Sequence, residues 1–222
     1  MARNDEMMKP DRLEEALRRL SELLEVKSGA DSYELVVGGG AGLILADYVA
    51  IATEDVDVIA TVHGKTLKEP EWGDPFEETR ETVAEEMGLQ SEWINKGPSA
   101  LVEILPEGFI QRIDEEDKEI SFSTAITVRP VARYDQIFLK TYASLNMRFD
   151  NPKLHKHRND LSDLKPSVEE LARGIHWAIN NCGYFPNKIA PLVTDINELS
   201  NDLGLYPPDK IQKYYENHLK EE

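Results

Sequence analysis

The chain has 222 residues, of which 42 are acidic and 25 are basic, giving a formal net charge of −17. Its 41% hydrophobic and 30% charged residues are typical of a globular protein with a substantial core. No run approaches the ~20 apolar residues of a membrane span, and the first residues lack the apolar segment of a signal peptide. We therefore expect a cytoplasmic protein, and the single Cys182 agrees with a reducing compartment.

The first predicted helix begins at Asp11, its predicted N-cap. It follows a polar segment, residues 1–10, that we expect to be flexible. Ser28 and Gly29 mark its end. Apolar side chains recur along it at helical spacing, at Leu13, Ala16, Leu17, Leu20, Leu23 and Leu24. No chemical group stands out on this helix, which we interpret as a packing element.

A short apolar strand that runs into three glycines opens the most informative part of the sequence, residues 34–60. The strand ends at Val37, the glycines are Gly38, Gly39 and Gly40, and an apolar segment long enough for a helix follows. Because glycine has no Cβ, a bend made of glycines lets a phosphate approach the backbone N–H groups. The pattern predicts that these three glycines bind the phosphates of a nucleotide.

The next predicted strand, Thr53–Ile59, carries two carboxylates on one side. Because side chains alternate along a strand, Asp55 and Asp57 share a face, while Val56 and Val58 point into the core. Two close carboxylates repel each other unless a cation lies between them. Mg²⁺ prefers carboxylate, water and phosphate oxygens, so the strand predicts a site for Mg²⁺ (or Mn²⁺).

Two familiar phosphate-binding motifs are excluded by their spacing. The dinucleotide fingerprint G-x-G-x-x-G would need its third glycine where Leu43 stands. The sequence from Gly64 to Thr66 would need an earlier glycine where Ile59 stands to complete a P-loop. A structural interpretation of the glycine and aspartate pattern stays open, as a tight strand-to-helix connection beside a solvated strand edge.

Further along the chain the pattern predicts an acidic helix, a strand-rich segment and more helices. The helix is Phe76–Met87, and the strands are Phe109–Ile113 and Glu119–Val128, joined by a charged turn at residues 114–118. The second strand has hydroxyl side chains on its polar face, so Glu119 at its start is its only acidic candidate. The short segment Leu89–Asn95 is expected to be a helical turn.

The helix predicted at Tyr134–Phe149 carries an apolar arc, and Lys140 lies roughly opposite that arc. Periodicity alone therefore predicts a solvent-exposed lysine. The following segment, with His155 and His157, is expected to be a polar loop. After Pro166 the pattern predicts three helices, residues 167–181, 187–203 and 208–220, which we interpret as a cap or a partner-binding bundle.

Positive charge is concentrated between Arg129 and Arg158, where seven basic residues and two acidic ones give a local charge of +5. The rest of the chain is strongly acidic, and an overall field of that sign repels nucleic acid. Two interpretations of this basic segment stay open. It is either a site for nucleotide phosphates or for part of an RNA, or a solvated basic helix and loop.

Taken together, these motifs resemble the nucleotidyltransferase superfamily, which has the DNA polymerase β-like fold. The resemblance begins with Gly-Gly after a strand, a helix, and Asp-x-Asp on the next strand. Its downstream motifs are similar in order to an uncharacterised bacterial nucleotidyltransferase family distantly related to AbiEii-type toxins, and they are Ser91–Asn95, Leu105–Phe109, Phe138–Ala143 and His157–Leu164. The resemblance covers roughly residues 30–180.

The resemblance implies an α+β fold, a nucleotidyltransferase-like mixed small sheet flanked by helices, with a C-terminal helical region. The implied domain is residues 11–165, with a helical extension at residues 166–222. The resemblance also implies that Lys140 contacts nucleotide phosphate. Many nucleotidyltransferases place a third carboxylate on a later strand, and here the resemblance offers Asp160 instead, as metal ligand or base.

The function implied is transfer of a nucleoside monophosphate from an NTP to an RNA, protein or small-molecule acceptor. Its catalytic residues would be Asp55, Asp57, Lys140 and Asp160. The alternative is a catalytically weak or inactive antitoxin-type or regulatory protein, motivated by the absent strand carboxylate and by Gly40, where relatives often carry a hydroxyl. Expected partners are the NTP, the acceptor, and a partner protein or second copy bound through the C-terminal helices, without a membrane.

Overall fold

A computed structural model describes residues 7–28, 32–49, 52–146 and 153–181, together with residues 213, 214, 216 and 217. The chain divides into two compact units, Met1–Ala132 and Arg133–Glu222. Helices and a mixed sheet together confirm the predicted α+β fold. The domain limits at residues 10 and 165 stay predictions.

The elements of the first unit alternate between helices and short strands. In chain order they are α1 (Pro10–Ser28), β1 (Tyr33–Gly38), α2 (Gly39–Leu45), β2 (Val56–His63), β3 (Thr66–Lys68), α3 (Asp74–Met87), β4 (Ile94–Asn95), a 3₁₀ helix (Gly97–Ile104), α4 (Phe109–Glu116), β5 (Ile120–Phe122) and β6 (Ile126–Pro130). The described elements of the second unit are α5 (Arg133–Asn146), α6 (Lys153–Leu164) and α7 (Val168–Asn181). In the part of the chain that the structure describes, every helix is too short or too polar to cross a bilayer.

A mixed sheet organises the first unit, with strand order β3-β2-β1-β6-β5 and with β4 also paired to β2. Strand β1 is antiparallel to β2 and parallel to β6, and β4 is parallel to β2. One face of the sheet forms the core, because alternate strand residues such as Val37, Val56 and Val58 are fully buried there. Helices α1, α2 and α3 cover that face with their own apolar side chains.

Helix α1 confirms the predicted packing helix, since Leu13, Leu17, Leu20 and Leu24 are fully buried. It begins at Pro10, so Asp11 lies in its first turn and does not precede it. Helix α3 also agrees with the prediction, and Gly88 ends it with a φ of 63°, a conformation that favours glycine.

The strand predicted at Phe109–Ile113 is wrong, because this segment forms helix α4. Phe109 and Ile113 are both buried, and residues four apart share one face of a helix. Gly108, with a φ of 77°, precedes the helix. The charged residues 114–118 therefore belong to the end of a helix and the residues just after it, and do not form a hairpin turn.

Three other segments also differ from their predictions. The run predicted as one strand, Glu119–Val128, is a hairpin of β5 and β6 that turns at Ser123, whose φ is 60°. Part of the segment predicted as a helical turn, Leu89–Asn95, is strand β4, because Trp93 and Ile94 enter the core. The segment containing His155 and His157 lies in helix α6 and is not a loop.

In the second unit, α5 packs against both α6 and α7. The helix predicted at residues 167–181 is observed as α7, and Lys213, Tyr214, Glu216 and Asn217 are helical as predicted. The remainder of the helices predicted at residues 187–203 and 208–220 lies outside the described residues, as does Cys182.

A capping box begins helix α7. The Ser167 N–H donates to the Glu170 carboxylate over 2.7 Å, and the Glu170 N–H donates to the Ser167 hydroxyl over 3.1 Å. The Arg133 guanidinium also donates to Glu170, over 2.6 Å. Burial by itself raises the pKa of Glu170, but the hydrogen bonds from Arg133 and Ser167 outweigh it and hold the pKa below its ordinary value.

Because the folded state lowers the pKa of Glu170, its carboxylate stabilises the fold at neutral pH, and this contribution disappears as the pH falls through the folded pKa. We expect Glu170→Gln to lower the free energy of unfolding by about 1–2 kcal/mol near pH 7. The difference from the unmodified protein should shrink toward zero as the pH falls through the lowered pKa of Glu170 in the folded state. Denaturant unfolding across this range, with the more exposed neighbour Glu169→Gln as control, measures the effect.

Candidate functional site

The end of β1 and the start of β2 lie side by side, and this junction contains the predicted glycines and aspartates. In the antiparallel pair, Gly38 lies directly opposite Asp57. Two residues farther along β2, Ile59 is an extra residue, because Val37 pairs with Val58 and Val36 pairs with Ala60. Such bulges change the direction in which neighbouring side chains point, and they are common beside functional sites.

Gly39 begins helix α2 and lies against the carboxylate of Asp57. Its φ is 61°, which L side chains rarely adopt. A Cβ placed there would lie 3.2 Å from the Cβ and Cγ atoms of Asp57 and would overlap the carboxylate oxygen Oδ2. A glycine is therefore needed at position 39 for the Asp57 carboxylate to lie beside this bend.

The other two glycines are buried. A Cβ on Gly38 would lie 2.6 Å from Ile59 Cδ1, so Gly38 makes room for the side chain of the bulge. Gly40 lies inside the short helix α2. Packing thus accounts for Gly38, and the predicted contact of Gly38, Gly39 and Gly40 with phosphate stays a prediction.

The two aspartates have the burial expected of neighbouring positions on one strand face. Asp55 immediately precedes β2 and Asp57 lies within it, and both are half-buried, whereas Val56 and Val58 are fully buried. Within the described part of the chain, the Asp55 carboxylate has no hydrogen-bond or ion-pair partner. A half-buried carboxylate without a partner is available to a cation.

Asn95 is a site residue that the analysis of the sequence did not identify. It pairs with Asp57 across the parallel strands β4 and β2, and its amide donates to Asp57 Oδ1 over 3.3 Å. The sequence contained a signal for this residue, because two apolar residues, Trp93 and Ile94, directly precede the Asn95 amide in the motif Ser91–Asn95. Both apolar side chains are buried in the structure. Only strand pairing between β4 and β2 brings that amide to Asp57.

In the described part of the chain, no third carboxylate joins the two aspartates. Among the residues that the structure describes, no three His, Cys, Asp or Glu side chains form a group that could hold a metal ion. The strand beside β1, which is β6, carries Thr127 and Arg129 at its half-buried positions. Glu119 directly precedes β5, which β1 and β6 separate from β2, and it is ion-paired with Arg129 over 3.2 Å.

Lys140 and Asp160 form a buried ion pair within the second unit. Their side chains are 4% and 1% exposed, and the lysine ammonium donates to Asp160 Oδ2. The exposed lysine predicted from periodicity is therefore wrong, because Asp160 on α6 compensates the charge of Lys140 on α5. The roles of both residues toward a nucleotide stay predictions.

Three of the seven basic side chains of the segment Arg129–Arg158 contact carboxylates. Arg129 contacts Glu34, Asp114 and Glu119, all within the first unit. In the second unit, Arg133 contacts Glu170 and Lys140 contacts Asp160. A local count of +5 thus overstates the positive charge available to a phosphate, because the carboxylate partners lie elsewhere in the chain.

Comparisons of the chain with protein-family models, with curated proteins and with solved structures give no match. The resemblance to nucleotidyltransferases therefore stays a prediction from the motifs. The structural support for a function comes from the contacts of the Asp57 carboxylate with Gly39 and Asn95.

Proposed function

We propose that this protein is a metal-dependent nucleotidyltransferase that moves a nucleoside monophosphate from an NTP to an acceptor. The observation that carries the proposal is the contact between the Asp57 carboxylate and the backbone of Gly39. It brings a carboxylate, the kind of group that binds hard metal ions, to a bend that has no side chain. A triphosphate chelated to a metal ion needs this combination, because its oxygens must approach both the ion and the protein backbone.

The residues present fit Mg²⁺ or Mn²⁺. Asp55 and Asp57 supply hard oxygen ligands, and Asp55 has no partner of its own in the described structure. Mg²⁺ commonly binds one or two carboxylates and completes its shell with water and substrate phosphate. A pair of carboxylates without a third therefore suits this ion. When bound, the ion would neutralise charge on the triphosphate.

The residues of this chain would then position the substrate. Asp55 and Asp57 hold the metal-chelated triphosphate, and Gly39 admits its oxygens to the bend. In the reaction, an acceptor hydroxyl oxygen bonds to the α-phosphorus, the bond to the bridging oxygen breaks, and pyrophosphate leaves while the hydroxyl proton passes to a base. Positioning and charge neutralisation account for most of the catalysis of such transfers. The proposal does not depend on Lys140 and Asp160, which already neutralise each other.

The test is transfer of label from α-³²P-labelled NTPs, each assayed with RNA, protein and small-molecule acceptors. We expect incorporation that requires Mg²⁺ or Mn²⁺, disappears with EDTA and returns when metal is added in excess. Pyrophosphate should be released in equal amount. Incorporation that persists in EDTA would contradict the metal-dependent site.

A second candidate is a protein of the same fold that binds a nucleotide without turnover, in an antitoxin-type or regulatory role. It is favoured by the absence of a third carboxylate near Asp55 and Asp57 among the described residues. Calorimetry with Mg-ATP and Mg-GTP separates the two candidates. Binding without labelled product supports the second, and product formation supports the first.

A further inference from the structure

We propose that the contact between α5 and α6 binds internal water, in a polar seam that runs along a buried side of α5 within the second unit. The polar seam consists of Gln136, Lys140 and Ser144 on α5 and Asp160 on α6. Water would supply the hydrogen bonds that these groups do not give one another. The seam lies in a different part of the chain from Asp57, so this proposal does not depend on the proposed function.

The α5 side of the seam is a stripe of three buried polar residues at intervals of four. Gln136 is 0%, Lys140 is 3% and Ser144 is 8% exposed. Residues four apart lie on the same side of a helix, so these side chains follow one line along α5. The aromatic ring of Phe138 lies on another side of α5, against Trp177 of α7. The polar stripe is therefore not the side that packs on α7.

Two contacts show that the stripe faces α6 and that the two helices are antiparallel. At the start of α5, the Arg133 guanidinium donates over 2.7 Å to the carbonyl oxygen of Leu164, the last residue of α6. Farther along α5, Lys140 is ion-paired with Asp160, which lies four residues earlier on α6. Gln136 lies between Arg133 and Lys140 on the same side of α5. Its amide is therefore placed at the contact between the two helices.

Several polar atoms of the seam have no hydrogen-bond partner among the residues that the structure describes. They are the nitrogen and the oxygen of the Gln136 amide, Oδ1 of Asp160 and the hydroxyl oxygen of Ser144, and all four are buried. The other carboxylate oxygen of Asp160 accepts from the Lys140 ammonium. A buried polar group that forms no hydrogen bond is costly, so such groups are normally paired with protein or with water.

The chemistry of these four atoms suits water. The Gln136 nitrogen can only donate, the Gln136 oxygen and Asp160 Oδ1 can only accept, and the Ser144 hydroxyl can do both. A water molecule also donates and accepts, and a buried one typically makes about three hydrogen bonds to groups of this kind. The charges of Lys140 and Asp160 balance each other, so the seam carries no net charge that would favour an ion.

The test counts long-lived internal water in the full chain by oxygen-17 magnetic relaxation dispersion, which detects water molecules that stay bound for longer than the protein takes to tumble. Gln136→Met removes both polar atoms but keeps a similar length and helix propensity. Gln111→Met makes the same change at an exposed position of α4 and is the matched control. Ser144→Ala is a second, smaller change within the seam. Thermal unfolding establishes that each variant is folded.

We expect Gln136→Met and Ser144→Ala to hold fewer long-lived water molecules than the unmodified protein, and Gln111→Met to hold the same number. An unchanged number in a folded Gln136→Met protein would overturn the proposal. A higher melting temperature of that variant would then show that the amide is buried without any partner. If Gln136→Met does not fold, an unchanged number in Ser144→Ala overturns the proposal instead. An unmodified protein without long-lived water would also overturn it.

Discussion

Asp57→Asn is expected to lose about 10³-fold or more of the nucleotidyl transfer rate while the protein stays folded. The substitution keeps the shape of the side chain and an oxygen that can still accept from Asn95. It removes the negative charge that would hold a divalent cation beside Gly39. Charge stabilisation by a catalytic metal is worth several kcal/mol, and each ~1.4 kcal/mol corresponds to tenfold in rate. Asp55→Asn should have a similar effect, since in the proposed site both carboxylates would bind the ion.

The rates are measured with labelled NTP under saturating metal, alongside thermal unfolding of each variant. Asp11→Asn changes charge by the same amount at an exposed position in the first turn of α1, and it should leave the rate unchanged. Because each substitution removes one of two neighbouring negative charges that repel each other, both variants should unfold at the same temperature as the unmodified protein or slightly higher. A folded Asp57→Asn protein with full activity would rule out the assignment.

Asp160→Ala is expected to destabilise the protein by about 3–5 kcal/mol. The reason is the buried position of its partner, because the Lys140 side chain is only 4% exposed and would keep its charge without a counter-ion. Lys140→Ala leaves the carboxylate in the same situation and should cost a similar amount. Denaturant unfolding at neutral pH measures both losses of stability. Removing an exposed helical ion pair, such as Arg173 and Glu169, should instead cost only about 0.5 kcal/mol or less.

A double variant distinguishes a buried ion pair from general damage to packing. Replacing both residues by apolar ones of similar size, Lys140→Met with Asp160→Leu, removes both charges together. It should be less destabilising than either single change to alanine, since no uncompensated charge stays buried. Single variants that unfold like the unmodified protein would show that the pair is not held together in solution. If the double variant also loses nucleotide binding, the predicted phosphate role of Lys140 gains support.

The amphipathic helices and the central strand pattern were predictable because they depend on local periodicity. Leu13, Leu17, Leu20 and Leu24 lie on one face by spacing alone, and so do Val56 and Val58. The failures occurred where spacing was ambiguous. The spacing of Phe109 and Ile113 fits either a short strand or one face of a short helix. In the structure the segment is a helix, and both side chains are buried within the first unit.

Lys140 shows a different limit of sequence reasoning. Its position opposite the apolar arc of α5 is typical of a solvated residue, and nothing local indicates a carboxylate twenty positions later in the chain. Asn95 is similar, since it is two strands removed in sequence order from Asp57 and meets it only through parallel pairing. Contacts between distant segments depend on how elements pack, which one-dimensional periodicity does not contain.

The sequence by itself determined the α+β class and the bend at Gly38–Gly40, and it predicts a shared face for Asp55 and Asp57, because side-chain alternation and the backbone freedom of glycine are local properties. Only the tertiary structure decided that the Asp57 carboxylate lies against Gly39, that the Asn95 amide donates to it and that Asp160 compensates Lys140. Those contacts join residues from different strands and helices. They exist only once the strands have paired and the helices have packed.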